Sequence, residues 1–418
     1  MRVATYLECL IALALGGIVR AQQGGAQAAL PPLMECGVHG DIEILCGTRS
    51  PEDLELTPDG KYLFATQFVN QGRGGGAGGG MAIFDLAKKT FTKMAETAQP
   101  DKSWGDPACA GPIGDALVSH GSSLAKRKSG VWELYVVNHG GRQSIEMYEV
   151  RPVSGGWTLV WRGCEVAEHD YNDVAILPDG GFVGTYPNGL IAGGRGAAPS
   201  GGPTGYVARW TPGKGESEVP GTRMRGPNGL VASADGRYIY VNEFSAREVH
   251  KFDLVEGKEI GSVKVDFQPD NLTWTKPGRL LDAGVKGARG ECPEGSGRLC
   301  IQGFGVAEID PVKMVAQPIF DSAARDPLIQ GVSVALKVGD AIYIGAFTGD
   351  RIIKMPYRME SSPRQPQRAT ETPDPRRSCA SSTLLRASGT GCVSRGGGGA
   401  DVGSESESHN PAKQIAMN

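Results

Sequence analysis

Short alternations of apolar and polar residues, separated by turn residues, run through most of this chain. Leu54-Glu55-Leu56 meets the turn Pro58-Asp59-Gly60, and Tyr62-Leu63-Phe64-Ala65-Thr66 leaves it. Val131–Val137 follows a turn at Gly130, Phe182–Thr185 follows Asp179-Gly180, and Tyr238–Val241 follows Asp235-Gly236. Arg279–Leu281 follows Gly278, and Ala341–Gly345 follows Gly339-Asp340. A period of two marks half-buried antiparallel strands, and Asp-Gly between apolar runs marks a tight hairpin turn. Hairpins spaced by roughly 40 to 70 residues sit near the repeat length of propeller blades. Further alternating segments, Met81–Leu86, Ser144–Val150, Tyr206–Trp210 and Val249–Leu254, lie between them. No stretch holds a helical period for long. The pattern predicts an all-β, six-bladed β-propeller with about four strands per blade.

Oxygen-bearing residues keep a fixed register against these turns. Glu52 stands eight residues before Gly60, Asn172 eight before Gly180, Asn228 eight before Gly236 and Asp270 eight before Gly278. Asn, Asp and Glu near turns ordinarily make turn or cap hydrogen bonds, but that role alone does not impose one shared offset. Equal offsets place these residues at one height on equivalent strands. Inner strands of a propeller line its central channel, so Glu52, Asn172, Asn228, Asp270 and Asn271 are expected to converge near the axis. Carboxylates with amide carbonyls suit Ca²⁺, which takes about six to eight oxygen ligands in irregular geometry. The spacing lacks the Cys/His clustering of zinc sites. Asp53 and Asp173 adjoin two of these residues and, pointing the opposite way along the strand, would serve a second, deeper ion. His120 and His139 join the set as a general base and its relay. No Gly-x-Ser-x-Gly elbow is present, which argues against a serine triad.

The net charge of −3 brings no basic run of the kind that binds nucleic acid. Residues 1–21 read as a secretory signal: Arg2 opens it, Leu10–Val19 is too short for a comfortable membrane span, and cleavage is expected near Ala21-Gln22. The predicted organisation is a flexible segment over 22–35, the propeller over 36–357 and a disordered tail over 358–418. The mature chain is expected to be secreted, soluble and without a transmembrane anchor. An oxidising compartment allows disulfides. Short separations favour Cys36–Cys46 and Cys292–Cys300, leaving Cys109 with Cys164.

Several motifs, in order, resemble the paraoxonase/arylesterase family. They are Pro51-Glu52-Asp53-Leu54-Glu55-Leu56, Ser119-His120-Gly121, Val136-Val137-Asn138-His139, Asn172-Asp173-Val174, Asn228-Gly229 and Asp270-Asn271-Leu272. That family belongs to a wider group with gluconolactonases and strictosidine-synthase-like proteins. The resemblance, over roughly residues 45–357, implies two calcium ions in the channel. It implies that Glu52, Asn172, Asn228, Asp270 and Asn271 hold a catalytic ion, and that Asp53, Asp173 and the backbone carbonyl of Ser122 hold a structural one. It implies His120 as the base that activates water, His139 as its partner, and Asp270 as the rival for that role. Met355 falls where paraoxonases carry a cysteine that ties the chain ends together, so closure here must rest on strand pairing or on other disulfides.

The function expected from these features is calcium-dependent hydrolysis of a small lactone or aryl ester. The alternatives are a gluconolactonase-like enzyme with one metal, and a secreted propeller that binds ligands without turnover.

Overall fold

The structure is a computed structural model that describes residues 32–69, 79–191, 201–275, 278–286, 303–322 and 328–357. The chain divides into residues 1–363, which hold every described residue, and 364–418, which lie outside them. The expected signal peptide, most of the 22–35 segment, the 358–418 tail and the Cys292–Cys300 pair also lie outside the described residues.

Six sheets form the six blades of the predicted all-β propeller. The innermost strands are Leu54–Leu56, Ser119–Lys126, Val174–Ile176, Pro227–Ala232, Gln268–Trp274 and Val332–Val338, for blades 1 to 6. Each pairs antiparallel with a second strand: Tyr62–Thr66, Trp132–Asn138, Phe182–Tyr186, Tyr238–Glu243, Leu280–Lys286 and Ala341–Ala346. Among the described residues, four blades have four strands and two have five. Blade 2 gains Glu96–Ala98, which runs parallel to its outer strand Gly156–Val166. Cys109–Cys164 ties the segment after that added strand to the same blade.

Blade 6 closes the ring. Its last strand from the C-terminal side, Arg351–Pro356, pairs with Ile42–Cys46 from the N-terminal side, placing Leu45 opposite Ile352 and Ile44 opposite Ile353. Cys36–Cys46 staples that N-terminal hairpin to itself rather than to the chain end. Met355 is buried in the apolar layer between blades 5 and 6. Among the described residues, strand pairing closes the ring and no disulfide joins its ends.

The core is a set of apolar layers, one between each pair of neighbouring blades. Alternation on the second strands feeds both sides of each blade: Leu63 packs toward blade 6, while Phe64 packs toward blade 2. Tyr135 and Val137 face blade 3, and Leu134 and Val136 face blade 1. The channel ends of the inner strands depart from this regularity. Register breaks fall between Ser119 and Ser122, Pro227 and Leu230, Pro269 and Leu272, and Val332 and Val334. In blades 1 and 3 the ladder begins only after Glu52-Asp53 and Asn172-Asp173. There, Thr66 and Thr185 hydroxyls accept from the Asp53 and Asp173 amides at 2.9 and 3.2 Å. A bulge or late start re-aims side chains that a regular strand would send into the apolar layers.

Candidate functional site

These irregular strand starts meet around the axis and bond to one another. Asn271 Nδ2 donates to Glu52 Oε1 at 2.7 Å and to the Glu52 carbonyl at 3.2 Å, linking blades 5 and 1 across residues 219 positions apart. Ser333 of blade 6 donates to the same carbonyl at 2.6 Å. The Ser122 amide and hydroxyl of blade 2 donate to Asp53 Oδ2 at 2.8 and 2.7 Å. The Gly121 amide reaches the Asn172 carbonyl at 3.2 Å. The Leu230 amide of blade 4 donates to Asp173 Oδ2 at 2.8 Å, and the Thr185 hydroxyl to the Asn228 carbonyl at 2.6 Å. Two glycines permit the close approach. A Cβ on Gly121 would stand 2.3 Å from Asp173 Oδ1, and one on Gly229 would stand 2.1 Å from the Asp270 carbonyl oxygen.

Glu52, Asn271, Asp173, Asp53 and Asp270 are between 0 and 5% exposed. Glu52 Oε2, Asn172 Oδ1, Asn228 Oδ1 and Asn271 Oδ1 are buried and make no hydrogen bond. Buried polar atoms are nearly always paired, so four unpartnered acceptors in one ring are unusual. Burial pushes the Glu52 carboxyl well above its ordinary range, and Asp270, Asp53 and Asp173 push it further, against a counter-pull from Asn271. Burial also raises Asp53, to about 6, although Ser122 and Leu54 donate to it. Asp173 is raised by burial and then by Asp53. A divalent cation held there would offset the repulsion and satisfy the orphan oxygens. Among the described residues, no three His, Cys, Asp or Glu side chains form a metal cluster of their own. The ring mixes amides with carboxylates, the hard-oxygen chemistry of calcium rather than of zinc.

His120 occupies the blade 2 bulge and faces this ring, its Nε2 lying 3.6 Å from Glu52 Oε1. Its Nδ1 lies 3.0 Å from His139 Nε2, and His139 Nδ1 lies 2.6 Å from Gln143 Oε1. With the Gln143 carbonyl assigned to that contact, the tautomers follow. His139 Nδ1–H donates to Gln143, His120 Nδ1–H donates to His139, and His120 Nε2 is left as a bare acceptor beside the ring. Burial, then His139, holds His120 well below the usual imidazole range. Burial also lowers His139, opposed by Gln143 and Asp170. Phe68 stacks on His120 at 4.1 Å and 14°. Asn242, wholly buried, donates to the Asp270 carbonyl at 2.8 Å and to Asp282 Oδ1 at 3.0 Å.

Sequence reading missed Phe68, Gln143, Asn242, Asp282 and Ser333. None keeps the eight-residue offset. The one local clue was Gln143, which follows His139 across the turn Gly140-Gly141.

The fold is a six-bladed propeller with a polar ring in its channel. Residues 76–289 match the family model for the SMP-30/gluconolactonase/LRE-like region, and this chain belongs to that family. No curated protein matches it. Among solved structures, a gluconolactonase from Xanthomonas campestris is 17% identical, with 78% of this chain and 95% of that one covered and a TM-score of 0.45. A luciferin-regenerating enzyme is 13% identical, with 75% and 94% covered and a TM-score of 0.45.

Proposed function

We propose that this chain is a calcium-dependent hydrolase of small lactones and aryl esters that acts in the extracellular space. One observation carries the reading: Glu52, Asn172, Asn228 and Asn271, on inner-strand starts that bond to one another, keep buried oxygens without partners, and a neutral imidazole lies 3.6 Å from Glu52. The family match supports a lactone as substrate. The disulfides Cys36–Cys46 and Cys109–Cys164 are compatible with an exported chain. No described helix is long and apolar enough to cross a membrane.

In this reading Glu52, Asn172, Asn228, Asp270 and Asn271 hold a catalytic ion, and Asp53, Asp173 and the Ser122 carbonyl hold a second. When bound, calcium would polarise the substrate carbonyl and stabilise the oxyanion that forms. His120 Nε2 takes a proton from water as its oxygen adds to the carbonyl carbon. The Nδ1–H···Nε2 contact with His139 keeps that acceptor free, and Gln143 fixes the His139 tautomer. His120 then returns the proton to the leaving alkoxide or phenoxide oxygen as its bond to the carbonyl carbon breaks. Phe68 covers one face of His120 and excludes water from it.

A one-ion, gluconolactonase-like arrangement has its own support. Both oxygens of Asp53 and of Asp173 already accept hydrogen bonds from protein donors. Hydrolysis of γ- and δ-lactones and phenyl acetate should vanish with EGTA and return with calcium, and equilibrium titration should count the ions. Unchanged turnover in EGTA would overturn the metal reading.

A further inference from the structure

The two proposed ion positions open in different directions. His139 directly follows Asn138, which pairs with Ser119 at the start of an inner strand, so His120 and His139 lie on the face where inner strands begin. A cavity of about 660 Å³ fills the channel beyond the ring and is lined by Leu54, Leu124, Ile176 and Ala232 from four inner strands. It extends to Pro178, Ala234 and Gly339, exposed residues of the hairpin turns at the far ends of those strands. Its inner end is lined by Asp53, Ser122 and Asp173, whereas Glu52, Asn172, Asn228, Asp270 and Asn271 take no part in its wall.

Acids outnumber bases along this cavity. Its lining acids are Asp53, Glu55 and Asp173, and its lining base is Lys337, whose ammonium sits 4.5 Å over the Tyr357 ring. Glu55 is one side-chain repeat below Asp53, and its Oε1 accepts from the Leu124 amide at 3.0 Å. A cleft with an excess of one sign of charge between apolar walls concentrates counter-ions.

We infer that the ion at Asp53, Ser122 and Asp173 enters and leaves through the hairpin-face cavity, with Glu55 as its recruiting carboxylate. The ion beside His120 exchanges through the opposite face. This inference rests on the two-ion reading above. It gives Glu55 a role in metal uptake and lets the second ion turn over while substrate occupies the His120 face.

The test is stopped-flow calcium release into a fluorescent chelator, with calcium-loaded full-length protein. Ala232→Trp places bulk in the cavity, and Ala234→Trp places it at the exposed rim, where folding is least at risk. Release of one ion should slow by about tenfold or more in either variant, because exit then waits on local opening, while the other ion keeps its rate. Glu55→Gln should cut the uptake rate of the same ion by about threefold to tenfold at low salt. Two ions whose release rates are unchanged in folded Ala234→Trp would overturn the route while leaving the two-ion reading intact. A single bound ion in the unmodified protein would overturn both.

Discussion

Acidic residues stand at both ends of the inner strands and meet opposite fates. At the hairpin end, Asp235 accepts from the Ser233 hydroxyl and the Arg237 amide, and these hold it below its ordinary range. Asp59 is lowered too: slight burial raises it, but Thr57, Lys61 and Trp157 outweigh that. At the channel end, seven residues before Asp59, Glu52 is raised and keeps an oxygen without a donor. A turn supplies its own N–H and O–H groups within two or three residues, so its acids are satisfied locally. The ring has too few donors for its oxygens, and the proposed cation would complete it. Several buried acceptors without donors gathered on neighbouring inner strands, more than acidity itself, set the channel end apart from the turns.

The largest effect should come from Glu52→Gln, which removes charge from the ring but keeps its shape. Calcium binding at that position should weaken by at least about 100-fold, with lactone turnover lost alongside it. Affinity equal to that of the unmodified protein by titration would place the ion elsewhere. Next, His120→Gln should lower kcat by about 10² to 10⁴ while calcium affinity and Tm hold. Because burial lowers His120, its neutral form persists to lower pH, so the acid limb of kcat/KM should fall below about pH 6.5. A limb well above that value would point to another base.

Asn242→Ala should weaken calcium binding by about 10- to 100-fold, since it loosens the Asp270 backbone rather than a ligand. If the melting temperature falls but affinity does not, Asn242 is only structural. The pH dependence of binding sharpens the contrast further. Asp53 is raised to about 6, against about 3.9 in an unfolded chain, so the metal-free fold takes up a proton between these values. Calcium must displace that proton. Affinity should therefore drop by roughly fivefold from pH 6 to pH 5, and the metal-free fold should lose stability as pH rises from about 4 to about 6. The smallest effect belongs to Asp235→Asn at a turn, where a slight fall in Tm with unchanged calcium affinity and turnover is expected. A loss of affinity there would erase the distinction between the two strand ends.

Much of this was legible in the sequence because hairpins are local. Asp-Gly turns fix strand register, and register fixes which residues reach the channel. The blade count, the inner strands, and the height at which Glu52 and Asp270 stand follow from that, whereas His120 lies ten residues before its turn glycine, Gly130. Residues set by contacts between blades carried no such mark. Ser333 lies six residues before its turn glycine, and Asn242 sits on a second strand.

By itself, the sequence determined the all-β repeat and the height at which oxygen-bearing residues stand, since both depend on alternation and turns a few residues apart. Tertiary structure decided the rest. It brought Asn271 to Glu52, closed the ring by pairing Ile42–Cys46 with Arg351–Pro356, and left particular oxygens without donors. It also set the His120–His139–Gln143 tautomers and opened Asp53 and Asp173 toward the hairpin face. Pairing, burial and repulsion are properties of distances between blades, and the chain acquires those distances only when the ring closes.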